Sequence, residues 1–394
     1  MTPSRRVAVT LYAYAFLDDL VLLYPVYALL FSETGLSVWQ ISTLFAVWSA
    51  SSLILEVPSG ALADVVSRRL LLWIGPLLTA AGFGLWVAAP SYWAFALGFV
   101  LWGAKGALTS GALEALVYEE LDRAGAAGRY AQIMGRAKAA GTVGVVLAIA
   151  IASPVLAAGG YPAVGAASVV ACLVTAAVAA TFPEHRDCRT GADEDDELGW
   201  AATLRAGLGE ARHHRPVRTA LILVVLVTAV WGSLDEYTPL LISSTGVADA
   251  TVPLLLLLIW AAVAVGGLAT GPAERLRTPW FAVLLVLAAA AMAAGALSGH
   301  PGGIVLVALA FGAFQAADVV VGARLQQAVT GPARATVTSV AGMVTDLATI
   351  GVFGLYAALT GLSGHGGAFA LLAIPYAGVA LWLLGSRMPD RRPG

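Results

Sequence analysis

Glu56-Val-Pro-Ser-Gly60-Ala-Leu-Ala-Asp64-Val-Val-Ser-Arg68-Arg69 separates two long apolar runs, one from about Val38 and one starting at about Leu70. The join has room for only a few residues, and those include Asp64, Arg68 and Arg69. Two membrane-length helices joined by so short a charged turn must lie antiparallel. If arginine marks the inside, the turn faces the cytoplasm.

Working outward, the whole chain reads as a membrane protein. Of its 394 residues, 59% are hydrophobic and 12% charged, against about 25% charged in a soluble domain. Mean hydropathy is +0.84. The net charge of −2 points to no nucleic-acid partner. Cys172 lies in an apolar run and Cys188 in a polar stretch, so no disulfide framework is expected. Arg5-Arg6 before an apolar stretch imitates a signal peptide, but that stretch continues to about Phe31 and holds two aspartates, so it reads as a retained first helix.

Runs long enough to cross a bilayer fall at about 7–31, 38–63, 69–89, 92–118, 136–158, 161–183, 217–243, 251–271, 279–298, 302–324, 334–360 and 367–386. Backbone groups in lipid must bond within their own segment, so a bundle of twelve helices is expected. The turns near Glu33, Pro90, Gly160, Asp249, His300 and His365 carry no lysine or arginine, and every arginine lies at a terminus or in an alternate turn. Such segregation puts both termini in the cytoplasm; the expected location is the cell's inner (plasma) membrane. Three divisions follow: a six-helix bundle over 1–183, a cytoplasmic linker with a short surface helix over 184–216, and a second six-helix bundle over 217–394. The linker carries Asp193-Glu-Asp-Asp-Glu197 and His213-His214. Adjacent histidines point to different faces of a helix, so no metal site is expected there.

The halves echo each other. Leu29-Leu-Phe-Ser32-Glu-Thr34-Gly35 near the end of the first run recurs as Leu240-Leu-Ile-Ser243-Ser-Thr245-Gly246 near the end of the seventh. The same offset carries Gly60 onto Gly271, where Gly271-Pro-Ala-Glu-Arg-Leu-Arg277 reads as a degraded copy of the opening loop. Duplicated halves around a central cavity are the plan of many secondary transporters.

At this point a family resemblance is visible. Gly60-Ala-Leu-Ala-Asp64-Val-Val-Ser67-Arg68-Arg69 resembles the loop motif of the major facilitator superfamily, G-x-L-a-D-r-x-G-R-r, with Val65 where a base is common and Ser67 where glycine is usual. Ser110-Gly-Ala-Leu-Glu114-Ala-Leu and Arg334-Ala-Thr-Val-Thr-Ser339-Val resemble members associated with bacterial drug and metabolite export. The resemblance covers nearly the whole chain. It implies an all-α membrane fold of two pseudo-symmetric six-helix bundles, with helices 1, 4, 7 and 10 lining the cavity and Asp64 latching a neighbouring helix end.

Charges within the apolar runs are the candidate site. Asp18, Asp19, Glu56, Glu114, Asp235, Glu236, Asp318 and Asp346 are acids inside helices, and Lys105 is the one base well inside. Each costs at least ~2.5–3.5 kcal/mol at a helix centre, so lipid-facing placement is excluded. A carboxyl group removed from water with no cation beside it can take up a proton near neutral pH. Asp18, Asp19, Asp235, Glu236 and Asp346 are therefore candidates for proton or substrate binding. Lys105 either neutralises one of Asp18, Asp19 and Glu56 or binds substrate directly. Adjacent acids lie about 100° apart on a helix, so at most one of each pair faces the axis. Glu56, Glu114 and Asp318 are read nearer the cytoplasmic ends, forming with Gly60, Asp64, Arg68 and Arg69 a conformational latch, with cation or proton binding by Glu114 and Asp318 as the functional alternative. Tyr14, Tyr24, Trp231 and Tyr237 either pack the bundle or form an aromatic wall suited to an organic cation.

The expected function is secondary active transport by alternating access: proton-coupled efflux of a small cationic or neutral lipophilic compound, by a monomer with no cofactor. No G-x-x-x-x-G-K-[ST] loop supplies ATP hydrolysis. The export pattern G-x-x-x-G-P-x-x-G-G is present only as fragments, Gly141, Gly144 and Ser153-Pro154 to Gly159-Gly160, which keeps proton-coupled import of a metabolite as the alternative. An intramembrane enzyme is the alternative of another class. Glu119-Glu120 followed by Arg123 hints at the E-E-x-x-x-R motif of membrane prenyl-protein proteases but is one residue short, and no histidine lies at membrane depth.

Overall fold

The computed structural model describes residues 2–185, 214–268, 278–329 and 334–385, with no description of the side chains of 57–65 and 334–336. The Asp64 side chain, Gly60, the loop copy at Gly271–Arg277 and most of the linker, with its surface helix and His213, therefore lie outside the described residues. Among the described residues there is no strand. Two compact units are present, Met1–Glu197 and Leu198–Gly394.

The first unit contains α1 (Pro3–Asp19), α2 (Tyr27–Glu33), α3 (Val38–Val65), α4 (Arg68–Ala88), α5 (Tyr92–Thr109), α6 (Ala112–Arg123) and α7 (Tyr130–Ala179). The second contains α8 (Arg215–Asp235), α9 (Thr238–Ser243), α10 (Val252–Leu268), α11 (Thr278–Leu297), α12 (Ile304–Ala328), α13 (Arg334–Leu372) and α14 (Ile374–Gly385). Eight helical stretches are long and apolar enough to cross a membrane. Two of them hold two passes each. α7 is bent at Gly160 (φ 64°, ψ −166°) and α13 at Gly364 (φ 68°, ψ 179°), conformations open to glycine and closed to residues with a Cβ. With α1/α2 and α5/α6 as one interrupted pass each, the helices are consistent with twelve.

Both units use the same packing scheme. In the first, α1 lies along α7, α3 and α4 pack on α5, and α4 packs on α7. In the second, α8 lies along α13, α10 and α11 pack on α12, and α11 packs on α13 and α14. Val7, Leu11, Leu72, Leu116, Leu121, Ile133 and Phe182 close one apolar core, and Val217, Leu221, Leu325, Val337 and Val340 another. Outward faces are apolar as well, with Val143, Val170, Leu287, Leu309 and Leu362 exposed. A helix apolar on all sides belongs in a low-dielectric surround.

Three of the expected helices are not continuous. The first pass ends its regular helix at Asp19 and resumes at Tyr27. The fourth breaks at Ser110-Gly111, and its continuation runs to Arg123. The seventh breaks at Glu236-Tyr237. Proline explains the first and third. Pro25 cannot donate to the Val21 carbonyl, and Pro239 cannot donate to the Asp235 carbonyl, so the i→i−4 ladder stops there. Tyr24 N–H takes the Val21 carbonyl instead (3.2 Å), and the Thr238 hydroxyl takes that of Asp235 (2.6 Å).

Candidate substrate and proton site

The break in the first pass decides where its acids go. Asp18 and Asp19 end α1, and the next residues leave the helix. Leu23 N–H, which a continuous helix would give to the Asp19 carbonyl, donates to Ser168 Oγ at 3.0 Å. Ser168 is fully buried and its hydroxyl donates to the Val164 carbonyl at 2.8 Å. It satisfies a backbone donor of the unwound segment and fixes the break against the second half of α7.

Asp18 and Asp19 have different surroundings. Lys105 of α5 donates from Nζ to Asp18 Oδ2 at 2.6 Å, with both side chains largely buried. The Lys105 stem passes over Gly75 of α4, where a Cβ would stand 3.1 Å from Cγ. Asp19 has neither an ion pair nor a hydrogen bond among the described residues. Its carboxylate rests on Gly141 of α7, so closely that a Cβ there would lie 2.3 Å from Oδ2. At Gly144 a Cβ would lie 2.3 Å from the Phe16 carbonyl oxygen. The two glycines that resembled fragments of an export pattern thus admit the end of α1 against α7, as small residues do wherever membrane helices approach closely.

The aromatic residues divide. Tyr14 is 2% exposed and packs edge-on against Phe182 at 5.8 Å; its hydroxyl has no partner among the described residues. Tyr237 is 0% exposed and stacks on Tyr356 at 3.6 Å. Both sit inside the helix packing. Tyr24 and Trp231 are half-buried. Tyr24 stacks on Trp102 at 5.0 Å with its hydroxyl 3.5 Å from the Asp18 carbonyl. Trp102, three residues before Lys105, also stacks on Trp48 at 4.8 Å and was not distinguishable in the sequence from any other aromatic in an apolar run.

In the second unit Asp235 closes α8 and Glu236 lies in the break. No ion pair or hydrogen bond to the Asp235 carboxylate exists among the described residues. One turn earlier, the Trp231 indole N–H is buried without a partner, its ring edge-on to Phe311 at 6.1 Å. Lower on α8, the Thr228 hydroxyl donates to Asp318 Oδ1 of α12. Asp318 stands ten residues, or about 15 Å, before the end of α12 at Ala328, on the interface with α8. Asp346 lies on an exposed face of α13.

At the arginine-bearing end of the first unit, Arg68 and Arg69 of the expected latch meet partners the sequence did not assign to them. Arg68 forms an ion pair with Glu119 at 2.6 Å. Glu184 covers the start of α4, accepting from the Ser67 hydroxyl, from Arg68 N–H at 2.8 Å and from Arg69 N–H at 3.4 Å. Arg69 Nε is 4.0 Å from the same carboxylate. An acid over unsatisfied N–H groups is favoured by the helix dipole. The buried Glu120 accepts from His185 N–H at 2.8 Å and lies 2.9 Å from its Nδ1. The Glu119-Glu120 pair that hinted at a protease motif is therefore spent on Arg68 and His185. Glu114 is exposed in the first turn of α6 and Glu56 is exposed at the end of its span. Among the described residues no group of three or more His, Cys, Asp or Glu could hold a metal ion.

The sequence profile of the Major Facilitator Superfamily matches residues 9–292. The chain belongs to that superfamily. Solved structures agree on the fold. A variant of the nucleoside transporter NupG superposes with a TM-score of 0.79 at 14% identity, covering 96% of this chain and 99% of that one. A D-xylose-proton symporter gives 0.68 at 15%, covering 98% of each. A bacterial homologue of the human lysosomal transporter Spinster gives 0.65 at 17%, covering 97% and 93%. At such identities these superfamily members share the fold, and nothing about their cargo transfers. No curated protein sequence matches the chain. As a superfamily member the chain is a multi-pass membrane transporter of small molecules rather than an enzyme.

Proposed function

We propose that this protein is a proton-coupled efflux carrier for a small cationic or neutral organic compound, exposing its binding site alternately to the two sides of the membrane. The observation that carries the reading is the pair of acids, Asp19 and Asp235, each at the point where its helix breaks and each without an ion pair among the described residues. A carboxyl group there can alternate between a proton and a ligand, because among the described residues no cation is paired with it. Asp18 is engaged by Lys105 and serves as a fixed support. Glu184, Glu119 and Arg68, with Asp64, form the latch at the arginine-rich end, which we read as cytoplasmic together with both termini. The protein works as a monomer in the cell membrane, without a cofactor.

The second reading is import by proton symport. It is favoured by the similarity in fold to a D-xylose-proton symporter. Proteoliposomes with an imposed pH gradient separate the two. Efflux predicts that an acidic lumen drives accumulation of cargo inside; symport predicts that an acidic exterior does. Asp19→Asn and Asp235→Asn abolish pH-driven movement under either. Movement that ignores the pH gradient in the parent protein would sink the proton-coupled reading.

A further inference from the structure

Trp231 and Asp235 lie four residues apart on α8 and share one helix face. The indole N–H is a buried donor with no acceptor, and the carboxylate is an acceptor with no donor among the described residues. Their neighbours are otherwise satisfied: Thr228 is committed to Asp318, and the Tyr376 hydroxyl donates to the Val227 carbonyl at 3.1 Å. Buried donors are almost always paired, and an orphan demands an explanation. Packing does not supply one, because phenylalanine would give the same edge-to-ring contact with Phe311 without stranding an N–H.

We infer that Trp231 and Asp235 form a two-point ligand subsite for a neutral hydroxyl- or amide-bearing molecule, which accepts from the indole and donates to the carboxylate. This rests on the carrier reading above and narrows it. A cation without an acceptor atom, such as tetraphenylphosphonium, could be drawn to the carboxylate but would leave the indole donor stranded. A hydroxyl or amide serves both points with one group. The ligand's donation is strongest to the charged carboxylate, so a proton taken up at Asp235 weakens the ligand's hold. Selection by a buried polar group discriminates far more strongly than selection by an apolar pocket.

The test uses the full-length protein in proteoliposomes under a pH gradient, with uridine and D-xylose as neutral hydroxyl-bearing probes and tetraphenylphosphonium as a cation that neither accepts nor donates. At least one neutral probe moves. In Trp231→Phe, which keeps the ring and removes the N–H, its KM rises about tenfold with the maximal rate retained, the loss of one neutral hydrogen bond. Trp231→His, which restores a ring N–H, recovers part of that affinity and guards against a folding defect in the phenylalanine variant. Movement of tetraphenylphosphonium alone overturns the inference and leaves the carrier standing. So does a neutral probe whose KM is the same in the parent, Trp231→Phe and Trp231→His. If no probe moves under either gradient direction, the carrier reading falls with it.

Discussion

Replacing Lys105 with methionine leaves Asp18 without its partner and so measures what the pair contributes. At the 2.6 Å separation, an effective dielectric of about 20 gives an attraction of ~6 kcal/mol. Removing two ions from water costs several kcal/mol each, so the intact pair contributes close to nothing net. The single substitution is a different matter. It keeps the desolvation of Asp18 and removes the attraction, which destabilises by about 3 kcal/mol, the low end for a buried pair because Asp18 retains some exposure. At about 2–4 °C per kcal/mol for a unit of this size, Lys105→Met lowers Tm by ~6–12 °C. Lys105→Met combined with Asp18→Asn removes both charges and recovers most of that loss. The assay is thermal unfolding of detergent-solubilised protein for the parent, the two single variants and the double. If the losses of the single variants simply add in the double, the two side chains are not coupled and the assignment of Asp18 as a neutralised support is refuted.

Other substitutions test the packing around the breaks. Ser168→Ala strands the Leu23 N–H and costs about 1–3 kcal/mol, read as a fall in Tm and as faster amide exchange at Leu23. Gly144→Ala forces a Cβ to within 2.3 Å of the Phe16 carbonyl and destabilises by about 1–3 kcal/mol through overpacking. By contrast Gly135→Ala, where nothing lies within 4 Å, leaves Tm unchanged. Glu184→Ala uncovers the start of α4 and costs about 0.5–2 kcal/mol, while Glu184→Gln keeps most of it; equal losses in the two would show that hydrogen bonding to the helix start is not what Glu184 supplies.

The positions of the passes were legible because they rest on quantities a sequence displays directly: apolar length and the one-sided placement of arginine. The breaks rest on hydrogen bonding, which a run of apolar residues conceals. Val21-Leu-Leu-Tyr-Pro25-Val-Tyr27 reads as continuous by hydropathy, yet Pro25 removes a donor and Ser168, far away in the chain, accepts another. Pro25 and Pro239 were visible and are the signal that locates both interruptions. The acids were equally visible, since charge in an apolar run stands out. Which of them pair was not, because Lys105 offers no preference among Asp18, Asp19 and Glu56 until the helices are packed. Glu184 escaped notice for the opposite reason: at a polar helix end a carboxylate is ordinary, and only packing shows it closing over α4. Glu119 and Glu120 stood out as a near-miss protease motif, and only packing shows them turned to Arg68 and His185.

The central claim is that Asp19 and Asp235 carry the protons. Infrared difference spectroscopy of the reconstituted protein, titrated from mildly acid to mildly alkaline pH, reads protonated carboxyl groups directly and needs no cargo. Proton carriage by these two acids predicts a carboxyl band that disappears as pH rises, reduced in Asp19→Asn and in Asp235→Asn and unaltered in Asp249→Asn, an acid in a turn away from both helix breaks. A band indifferent to pH, or one that survives in the Asp19→Asn, Asp235→Asn double variant, would contradict it.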